Sequence, residues 1–512
     1  MSKPRLPIRR TLRSRLKPTA SRLLIPAAAR SLNAVYNGLN VSGLNATDNT
    51  PFQSSPPDTT GSIGPNHYVE MVNSVIGVYN RSDLSLAAIA TLYIWLGVAS
   101  PTTTPLCDPQ IQWDSASQRW LYAVLECQPG NDKFLFGWSK TPDPSDLVSG
   151  WCNFSVATPG MLSDYPKLGH SSKYMLVGTN NFSDLGLNPF VTAQITWMPT
   201  PNPGVATCTA PAVSQAGSAA TPLKNGDGAT LTFTPVPVNT STNAADGYVV
   251  SAYFPGPPPA TENQLAVFHV DSLGVLHADA DLSVNSYASP FPAPDPGGAS
   301  VGLDTLDGRL TQAVGDPITG IYTQHTVDGT GGRSKVTWYE IKVVSAAPTL
   351  VQEGDIKSST DFVYNAAISP RSDGQGAVIF YNRSSASLDP VIATQGRLSW
   401  TAAGQMDPGE IVLATSTAGD SDFTCNHTGH GEPCRWGDYS GASPDPNQAN
   451  VVWGSNQGLT TPLPGGIPNW VTQNFAIVGP VVLRVPALQA SPVPTATRAP
   501  VLPGPSPTPG TR

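Results

Sequence analysis

Hydrophobic and polar positions alternate with a period of two along most of the chain, in short runs interrupted by turn residues. The clearest segments start at residues 107 (CDPQIQWDSASQRWLYAVLE), 164 (DYPKLGHSSKYMLVGTNNF), 364 (YNAAISPRSDGQGAVIFYNRS) and 438 (DYSGASPDPNQANVVWGSNQ). Each begins at a polar or aspartate-bearing corner and places two strands around a turn rich in Ser, Asp, Gly or Pro. This pattern predicts β-hairpins.

The hairpins form a repeat. Weaker copies of the pattern start at residues 64, 226 and 303, and second hairpins follow some of them. A unit then holds about four strands, at a spacing of about 45 to 75 residues. One such sheet cannot bury both of its faces, whereas radial stacking of several sheets buries them. We therefore predict an all-β fold, a β-propeller of seven four-stranded blades in a single large domain, with six blades as the alternative.

The composition changes at both ends of the chain. Residues 1–30 hold nine of the 28 Lys and Arg and no acidic residue, and their short apolar stretch is interrupted by Pro26. We expect residues 1–47 to be a basic arm or an atypical export segment. We assign residues 48–485 to the propeller and the Pro/Thr/Ser-rich residues 486–512 to a linker or stalk.

Charge excludes one class of partner. Outside residues 1–30 the chain has 19 basic and 36 acidic residues, a net charge of −17. A body this acidic repels phosphate backbones, so we expect no nucleic-acid partner. The longest apolar run, residues 86–100, is too short to cross a membrane and indicates a buried helix or strand.

Six cysteines are present, and their spacing suggests three pairs of sequence neighbours: Cys107 with Cys127, Cys152 with Cys208, and Cys425 with Cys434. Sequence alone cannot choose among the 15 possible pairings. Disulfides fit a secreted or cell-surface protein. Zinc binding by Cys425, His427, His430 and Cys434 is disfavoured, because four ligands in one ten-residue loop would strain to surround a metal.

Four ordered motifs carry a resemblance to a family. The strings PPDTTGSIGPNHYVEMVN (56–73), DYPKLG (164–169), HTVDGTGGRSKVTWYEI (325–341) and RWGDYSGASPDP (435–446) resemble exported, largely uncharacterised bacterial proteins related to sialidase-like β-propellers. The resemblance covers about residues 56 to 480. It implies a propeller, export and a C-terminal extension, but it supplies no reaction. The chain lacks clean Asp-box repeats of the sialidase kind, which puts sialidase chemistry in doubt.

The repeat corners carry aspartates that offer candidate metal ligands. Radial repetition would place them together at one end of a central channel, where converging carboxylates need a cation such as calcium or bridging hydrogen bonds. The competing interpretation is that each aspartate caps amides in its own turn. The candidates are Asp108, Asp164, Asp227, Asp304 and Asp438.

Arginines near the repeat corners offer candidate chemistry. A sialidase clamps a substrate carboxylate with an arginine cluster and uses a tyrosine nucleophile activated by a carboxylate. Arg309, Arg397 and Arg435 with Tyr439 and Asp438 could form such a site. The competing interpretation is that each arginine ties adjacent blades together.

The leading hypothesis is an exported or cell-surface, non-catalytic binding or display module for glycan or protein ligands, acting as a monomer. Arg435, Trp436 and Tyr439 are its candidate ligand-binding residues. A glycoside hydrolase of sialidase-like type acting at the channel mouth is the alternative from another class. A structural envelope or filament component is the second alternative. Because propellers host many functions, the fold alone does not decide among the three.

Overall fold

The computed structural model of this chain is built almost wholly from antiparallel strands. It describes residues 33–49, 53–98, 105–127, 130, 133–184, 189–298, 301–344, 347–426, 433–464 and 467–481. Most of the expected basic arm and all of the expected linker, residues 486–512, lie outside the described residues. Within the described ranges, no helix is long and apolar enough to cross a membrane.

Hydrogen bonding groups the described strands into four sheets of four strands and one sheet of twelve, which we describe below as three further units of four strands each. Unit 1 contains β2 (Thr60–Ile63), β3 (His67–Val72), β4 (Val75–Asn80) and β5 (Leu86–Thr91), and the short helix α1 (Leu92–Leu96) follows it. Unit 2 contains β6 (Leu106–Asp114), β7 (Arg119–Glu126), β8 (Lys133–Ser139) and β9 (Trp151–Ala157). Unit 3 contains β10 (Met161–His170), β11 (Tyr174–Ser183), β12 (Phe190–Pro199) and β13 (Ser214–Ala216). Unit 4 contains β14 (Val236–Thr240), β15 (Gly247–Ala252), β16 (Glu262–Val270) and β17 (Leu276–Tyr287).

The remaining units follow the same plan until the last one. Unit 5 contains β18 (Leu310–Asp316), β19 (Gly320–Asp328), β20 (Ser334–Val344) and β21 (Ala347–Ile356). Unit 6 contains β22 (Phe362–Pro370), β23 (Gly376–Ser385), β24 (Leu388–Leu398) and β25 (Ile411–Thr415). Unit 7 contains β26 (Gly441–Pro444), β27 (Val451–Leu459) and β28 (Trp470–Val478), and its fourth strand is β1 (Tyr36–Asn45) from the other end of the chain.

The first strands of the units form a closed ring. β2 contacts β6, β6 contacts β10, and the series continues through β14, β18, β22 and β26 back to β2. Parallel backbone pairing joins β10 to β14 at His170 and Asn239, and β14 to β18 at Val238 and Ala313. Later strands of each unit lie progressively further from this ring. The chain is therefore an all-β propeller.

Apolar side chains fill the space between adjacent units. Seven separate buried clusters each combine residues of two neighbouring units, including the pair formed by units 7 and 1. Trp120 is fully buried between units 1 and 2, and Trp338 between units 5 and 6. The rings of Phe380 and Phe475 lie 4.6 Å apart between units 6 and 7. Each sheet thus buries both faces, as radial stacking requires.

Aspartates stabilise the turn between the first two strands of several units. In unit 2, the Asp114 carboxylate accepts hydrogen bonds from the backbone amides of Ala116 and Ser117. Asp316, Asp373 and Asp445 accept similar bonds in units 5, 6 and 7. Such side chains make a local turn at little conformational cost, which explains the Ser/Asp-rich tracts between alternating runs.

The boundary expected at residue 48 is wrong, because β1 begins at Tyr36 and pairs antiparallel with β28. Its sequence, YNGLNVSGLN, contains two glycines and three asparagines, which are depleted in strands and hide the alternation. The strand is explained by long-range pairing and not by local propensity.

The six cysteines form the three pairs suggested by their spacing: Cys107–Cys127, Cys152–Cys208 and Cys425–Cys434. Cys208 lies in an exposed segment between β12 and β13, and its partner begins β9 in unit 2. This bridge therefore fastens a loop of unit 3 to the outer edge of the neighbouring unit.

Glu70 links unit 1 to both strands that close the ring. Its side chain is fully buried on β3. Oε2 accepts hydrogen bonds from the Leu44 amide (3.2 Å), the Tyr79 hydroxyl (2.9 Å) and the Asn474 side-chain amide (2.7 Å). Leu44 belongs to β1 and Asn474 to β28. Burial raises the pKa of Glu70.

Replacement of Glu70 tests this connection. Glu70→Ala leaves three buried donors without an acceptor, so we expect the free energy of unfolding to fall by about 3 kcal/mol or more. Glu70→Gln keeps one carbonyl oxygen and should lower it by about 1 kcal/mol. Thermal and denaturant unfolding of both variants measure the difference. Equal losses in the two variants would contradict the role assigned to Oε2.

Candidate functional site

The same sharp corner occurs just before the first strand of some units, and as a register shift near the start of that strand in β6, β10 and β22. Five non-glycine residues adopt positive φ there, between 46° and 55°: Asp58, Asp108, Tyr165, Thr234 and Asn365. A positive φ on a non-glycine residue is uncommon, and it persists only where the surrounding structure imposes it. Proline follows three of these residues and fixes the next φ. The repeated geometry brings polar residues from different units to one end of the ring.

At this end, hydrogen bonds join units 1, 2 and 7. The Asp58 carboxylate accepts one from the backbone amide of Asp438 (2.7 Å) and another from the side-chain amide of Asn73 (2.6 Å). The Asn73 carbonyl oxygen accepts a third from the backbone amide of Asp108 (2.8 Å). These bonds hold both oxygens of the Asp58 carboxylate and the backbone amides of Asp438 and Asp108.

Four of the five predicted aspartates lie at this end, and Asp58 joins them. We call Asp58, Asp108, Asp164, Asp304 and Asp438 the aspartate cluster. Burial, followed by the charges of Asp58, Asp164 and Asp438, raises the pKa of Asp108 well above its usual range. Burial is also the main cause of the raised pKa of Asp164 and of Asp304, each with a further contribution from Asp438.

Asp58 has the best-defined shift within the aspartate cluster. Burial and the charge of Asp438 raise its pKa from 3.8 to about 7, although Arg435 opposes the change. Its side chain is 3% exposed, and both oxygens accept hydrogen bonds. Asp58 therefore lies beneath the surface of the cluster.

Two arginines accompany the aspartate cluster. The Arg435 side chain is 48% exposed, and its guanidinium lies 2.8 Å from Asp438 and 3.7 Å from Asp304. Arg309 donates two hydrogen bonds to Asp307 and lies 4.5 Å above the Tyr165 ring. Arg435 is therefore at the surface, whereas the Arg309 guanidinium is held by Asp307 and by the Tyr165 ring.

Lys167 forms the floor of the aspartate cluster. Its ammonium lies 3.9 Å from the centre of the Tyr165 ring and 3.4 Å from that of Tyr439. The residue is 2% exposed, and Nζ has no hydrogen-bond partner among the described residues. Burial lowers the pKa of Lys167 well below its usual range, against the charges of Asp108, Asp438 and Asp58.

Side-chain hydrogen bonds also cross the centre of the ring, from one unit to a unit that is not its neighbour. The Tyr165 hydroxyl donates to the carbonyl of Asp438, which joins units 3 and 7 across the ring. The Gln312 amide of unit 5 pairs with both the carbonyl and the amide of Ala442 in unit 7. At the opposite end, a small cavity of about 40 Å³ is lined by Ser62, His170 and Asn239, among others. Hydrogen bonds therefore cross the centre of the ring between the aspartate cluster and the opposite end.

Asp227 does not join the aspartate cluster. It lies in an exposed loop before unit 4, where its carboxylate accepts hydrogen bonds from the amides of Ala229 and Thr230 and from the Thr230 hydroxyl. This is the turn-capping role that was the competing interpretation for all five aspartates. The prediction was wrong for Asp227 because its loop precedes the corner by several residues.

The arginine group proposed for sialidase-like chemistry is not assembled. Arg397 is 4% exposed on β24, where it donates to Gln352, Gln405 and Thr401. Arg309 and Arg435, in contrast, both lie near Asp164, and the charge of each lowers its pKa. Tyr439 is 1% exposed, so its hydroxyl cannot reach a substrate on the surface.

Trp436 is also placed differently from its predicted ligand-binding role. It is 1% exposed, its indole N–H donates to the side-chain oxygen of Asn382 (3.3 Å), and its ring contacts Tyr364 edge to face at 5.9 Å. Of the three predicted ligand-binding residues, Arg435 alone is accessible at the surface.

The described residues do not form the calcium site expected from the corners. Their only group of three metal-ligating types within 4.8 Å combines Asp420 with Cys425 and Cys434, and those cysteines are bonded to each other. In the aspartate cluster, the Arg435 guanidinium supplies positive charge beside Asp438 and Asp304. His427 and His430 lie outside the described residues.

Sequence reasoning missed Asp58, Lys167 and Tyr165. Asp58 follows two prolines in a weak copy of the repeat, just before the first strand of unit 1. Lys167 lies between Pro166 and Leu168 in β10, and a lysine at such a position signals a buried charge that needs a partner. The Asp-Tyr pair occurs at 164–165 and again at 438–439, and the two tyrosines enclose Lys167.

No protein-family model matches the chain, and no curated protein matches it. The chain is similar to the WD40 domain of SCAP from fission yeast (9% identity, 80% of this chain and 82% of that one, TM-score 0.32). It is also similar to exo-beta-1,3-galactanase from Phanerochaete chrysosporium (12% identity, 86% and 98%, TM-score 0.30). Similarity this low carries no argument about function. The expected relation to exported bacterial propellers stays a prediction.

The raised pKa of Asp58 predicts a pH dependence of stability. Because its folded-state pKa is about 7 against 3.8, deprotonation favours the unfolded chain. The stabilisation is complete below about pH 4 and is lost as the pH rises to about 7. Asp58→Asn removes the titration, so the variant should gain at least about 1 kcal/mol relative to wild type between pH 4 and 7. Denaturant unfolding across this range measures it, and a constant difference would contradict the assignment.

Proposed function

We propose that this protein is an exported, non-catalytic binding module that holds a glycan through the exposed part of the aspartate cluster. The observation that carries the proposal is the meeting of Asp164, Asp304, Asp438 and Arg435, partly exposed residues supplied by units 3, 5 and 7 and the segments before them. Several carboxylates around one arginine offer alternating hydrogen-bond acceptors and donors. Sugar hydroxyls satisfy both kinds of group.

Two observations favour binding over sialidase-like hydrolysis. The tyrosine that would act as nucleophile is 1% exposed and packs against Lys167. The third arginine needed for a carboxylate clamp is held on β24 by Gln352, Gln405 and Thr401. An active site depends on the mutual geometry of its groups, and here the required groups are apart.

Hydrolysis by paired carboxylates is the second candidate function. A glycosidase of this kind uses one protonated and one ionised carboxyl group, whose environments separate their pKa values. The raised pKa of Asp164 and of Asp304 is the observation in its favour. Release of reducing sugar from a bound glycan, abolished by Asp164→Asn, would replace the binding proposal with this one.

Export is supported by the three disulfides, since such bonds persist in oxidising compartments. The basic residues at the start of the sequence agree with this location. Fractionation of the native host, with detection of the protein outside the cytoplasm, tests it. Recovery of reduced protein from the cytoplasm alone would contradict export.

Asp304→Asn tests the binding site, with Asp227→Asn as its matched control. Both substitutions remove one negative charge from an aspartate that the repeat pattern highlights, but Asp227 lies in its own exposed turn. On a glycan array, and by calorimetry with the strongest ligand, Asp304→Asn should weaken binding about tenfold or more. Asp227→Asn should bind as wild type does. Equal affinities for all three proteins would contradict the proposed location.

A further inference from the structure

Two loops from different parts of the chain touch and place aspartates side by side. The first loop, residues 294–298 (PDPGG), connects units 4 and 5, and the second, residues 418–422 (AGDSD), connects units 6 and 7. They come this close because glycines lie at the contact: a Cβ on Gly419 would lie 2.0 Å from a backbone nitrogen of the first loop. Across the contact, the backbone amide of Asp420 donates to Oδ2 of Asp295 at 2.7 Å.

The aspartates at this contact are buried without a counter-charge. We call Asp295, Asp420 and Asp422 the loop aspartates; Asp295 is 7% exposed, and the other two are buried more deeply. Among the described residues, no lysine, arginine or histidine forms an ion pair with them. Burial, followed by the charges of Asp422 and Asp295, raises the pKa of Asp420 to about 7. Burial and the charge of Asp389 raise the pKa of Asp295 to about 6. Buried charges in proteins are paired or coordinate a metal.

Two buried oxygen atoms at the contact have no hydrogen-bond donor among the described residues. One is Oδ1 of Asp295, whose other oxygen is held by Asp420. The second is Oδ1 of Asn469, a residue 1% exposed whose side-chain nitrogen donates to the Gly419 carbonyl at 3.1 Å. A buried acceptor without a donor carries the penalty of desolvation, which a bound cation would remove.

The contact lies one layer of residues below the surface. Pro296, Gly297 and Ser421, the immediate neighbours of the loop aspartates, are exposed. A Cβ on Gly297 would lie 2.9 Å from Oδ1 of Asp389, which is partly exposed. A metal ion therefore has only exposed loop residues to pass on its way to the buried oxygens.

The chemistry of the available ligands selects the ion. The loop aspartates and Asn469 offer oxygen atoms alone, and the sulfur atoms of the neighbouring disulfide are bonded to each other and supply no thiolate. Calcium takes carboxylate and amide oxygens in a flexible arrangement, whereas magnesium demands a near-ideal octahedron and structural zinc prefers nitrogen and sulfur.

We infer that the contact between the two loops is a calcium site, in which the loop aspartates supply carboxylate oxygens and Asn469 supplies an amide oxygen. Rotation of these side chains brings their oxygens to the distance of about 2.3–2.6 Å that calcium requires. The ion ties the connection between units 4 and 5 to the connection between units 6 and 7. The site is separate from the aspartate cluster and does not depend on the proposed glycan binding.

Asp420→Asn tests the site through thermal melting of the full chain after treatment with EDTA. Added calcium chloride should raise the melting temperature of wild type by about 3 °C or more. The variant removes one negative charge and keeps an oxygen to accept from the Asp422 backbone amide. It should therefore lose the calcium response yet melt in EDTA at the wild-type temperature or above it, because repulsion between carboxylates is relieved. An aspartate with a merely structural role would lower the melting temperature in EDTA as well.

The matched control is Asp316→Asn. Asp316 is buried to a similar degree, but its carboxylate accepts from the backbone amides of Ile318 and Thr319 within its own turn. The control should keep the whole calcium response. Calorimetry with calcium chloride should give one ion per wild-type chain and an affinity at least tenfold lower in Asp295→Asn.

Three results would overturn the inference. Absence of a calcium response in wild type would mean that protons, and not an ion, neutralise the loop aspartates. A response as large in Asp420→Asn and Asp295→Asn as in wild type would remove the ion from this contact, and its loss in Asp304→Asn would place the ion in the aspartate cluster instead. Binding of magnesium as tight as that of calcium would contradict the choice of ion.

Discussion

Closure of the ring is the constraint on which the rest of this structure depends. Each four-stranded unit has two apolar faces, and each face is buried only if a neighbour lies on both sides. An open series would leave two such faces in water at its ends. Unit 7 therefore takes its fourth strand from the beginning of the chain, and Glu70 fastens that strand and β28 to unit 1. Contact between units 7 and 1 is therefore needed for every apolar face to be buried.

Closure also produces the concentration of charge at one end of the axis. Corners of the same geometry, repeated around a ring, bring polar side chains to the same place, where burial and then the charges of neighbouring aspartates raise the pKa of Asp108. Beside these aspartates lie Lys167, which two tyrosine rings enclose, and Arg435, which is at the surface. Burial of so many ionisable groups lowers the stability of the fold, and groups with strongly shifted pKa values are concentrated at functional sites.

The alternating runs predicted the hairpins and the propeller correctly, because burial of both sheet faces leaves a strong period-two pattern. The corner pattern also indicated the convergence of Asp108, Asp164, Asp304 and Asp438. It could not exclude Asp227, since capping an exposed turn and facing an axis require the same residue type. It could not place Trp436 or Arg397 either, because burial of a large or charged side chain depends on neighbours far away in the sequence. The sequence prediction missed β1 for the same reason, since the strand that pairs with it lies at the other end of the propeller sequence.

The position of β1 has a consequence for the order of folding. Tyr36 pairs with Val478, so the first described strand, β1, has the last described strand, β28, as its neighbour in the sheet. The entropy lost on closing so long a loop grows only with the logarithm of its length. The long separation between β1 and β28 therefore affects the rate of folding more than the stability of the fold. Until β28 is made, β1 has no strand to pair with, because β28 is its only neighbour in the order of the described strands of that sheet. The sheet that closes the ring therefore depends on two segments from opposite ends of the described chain, whereas the strands of every other unit are consecutive in sequence.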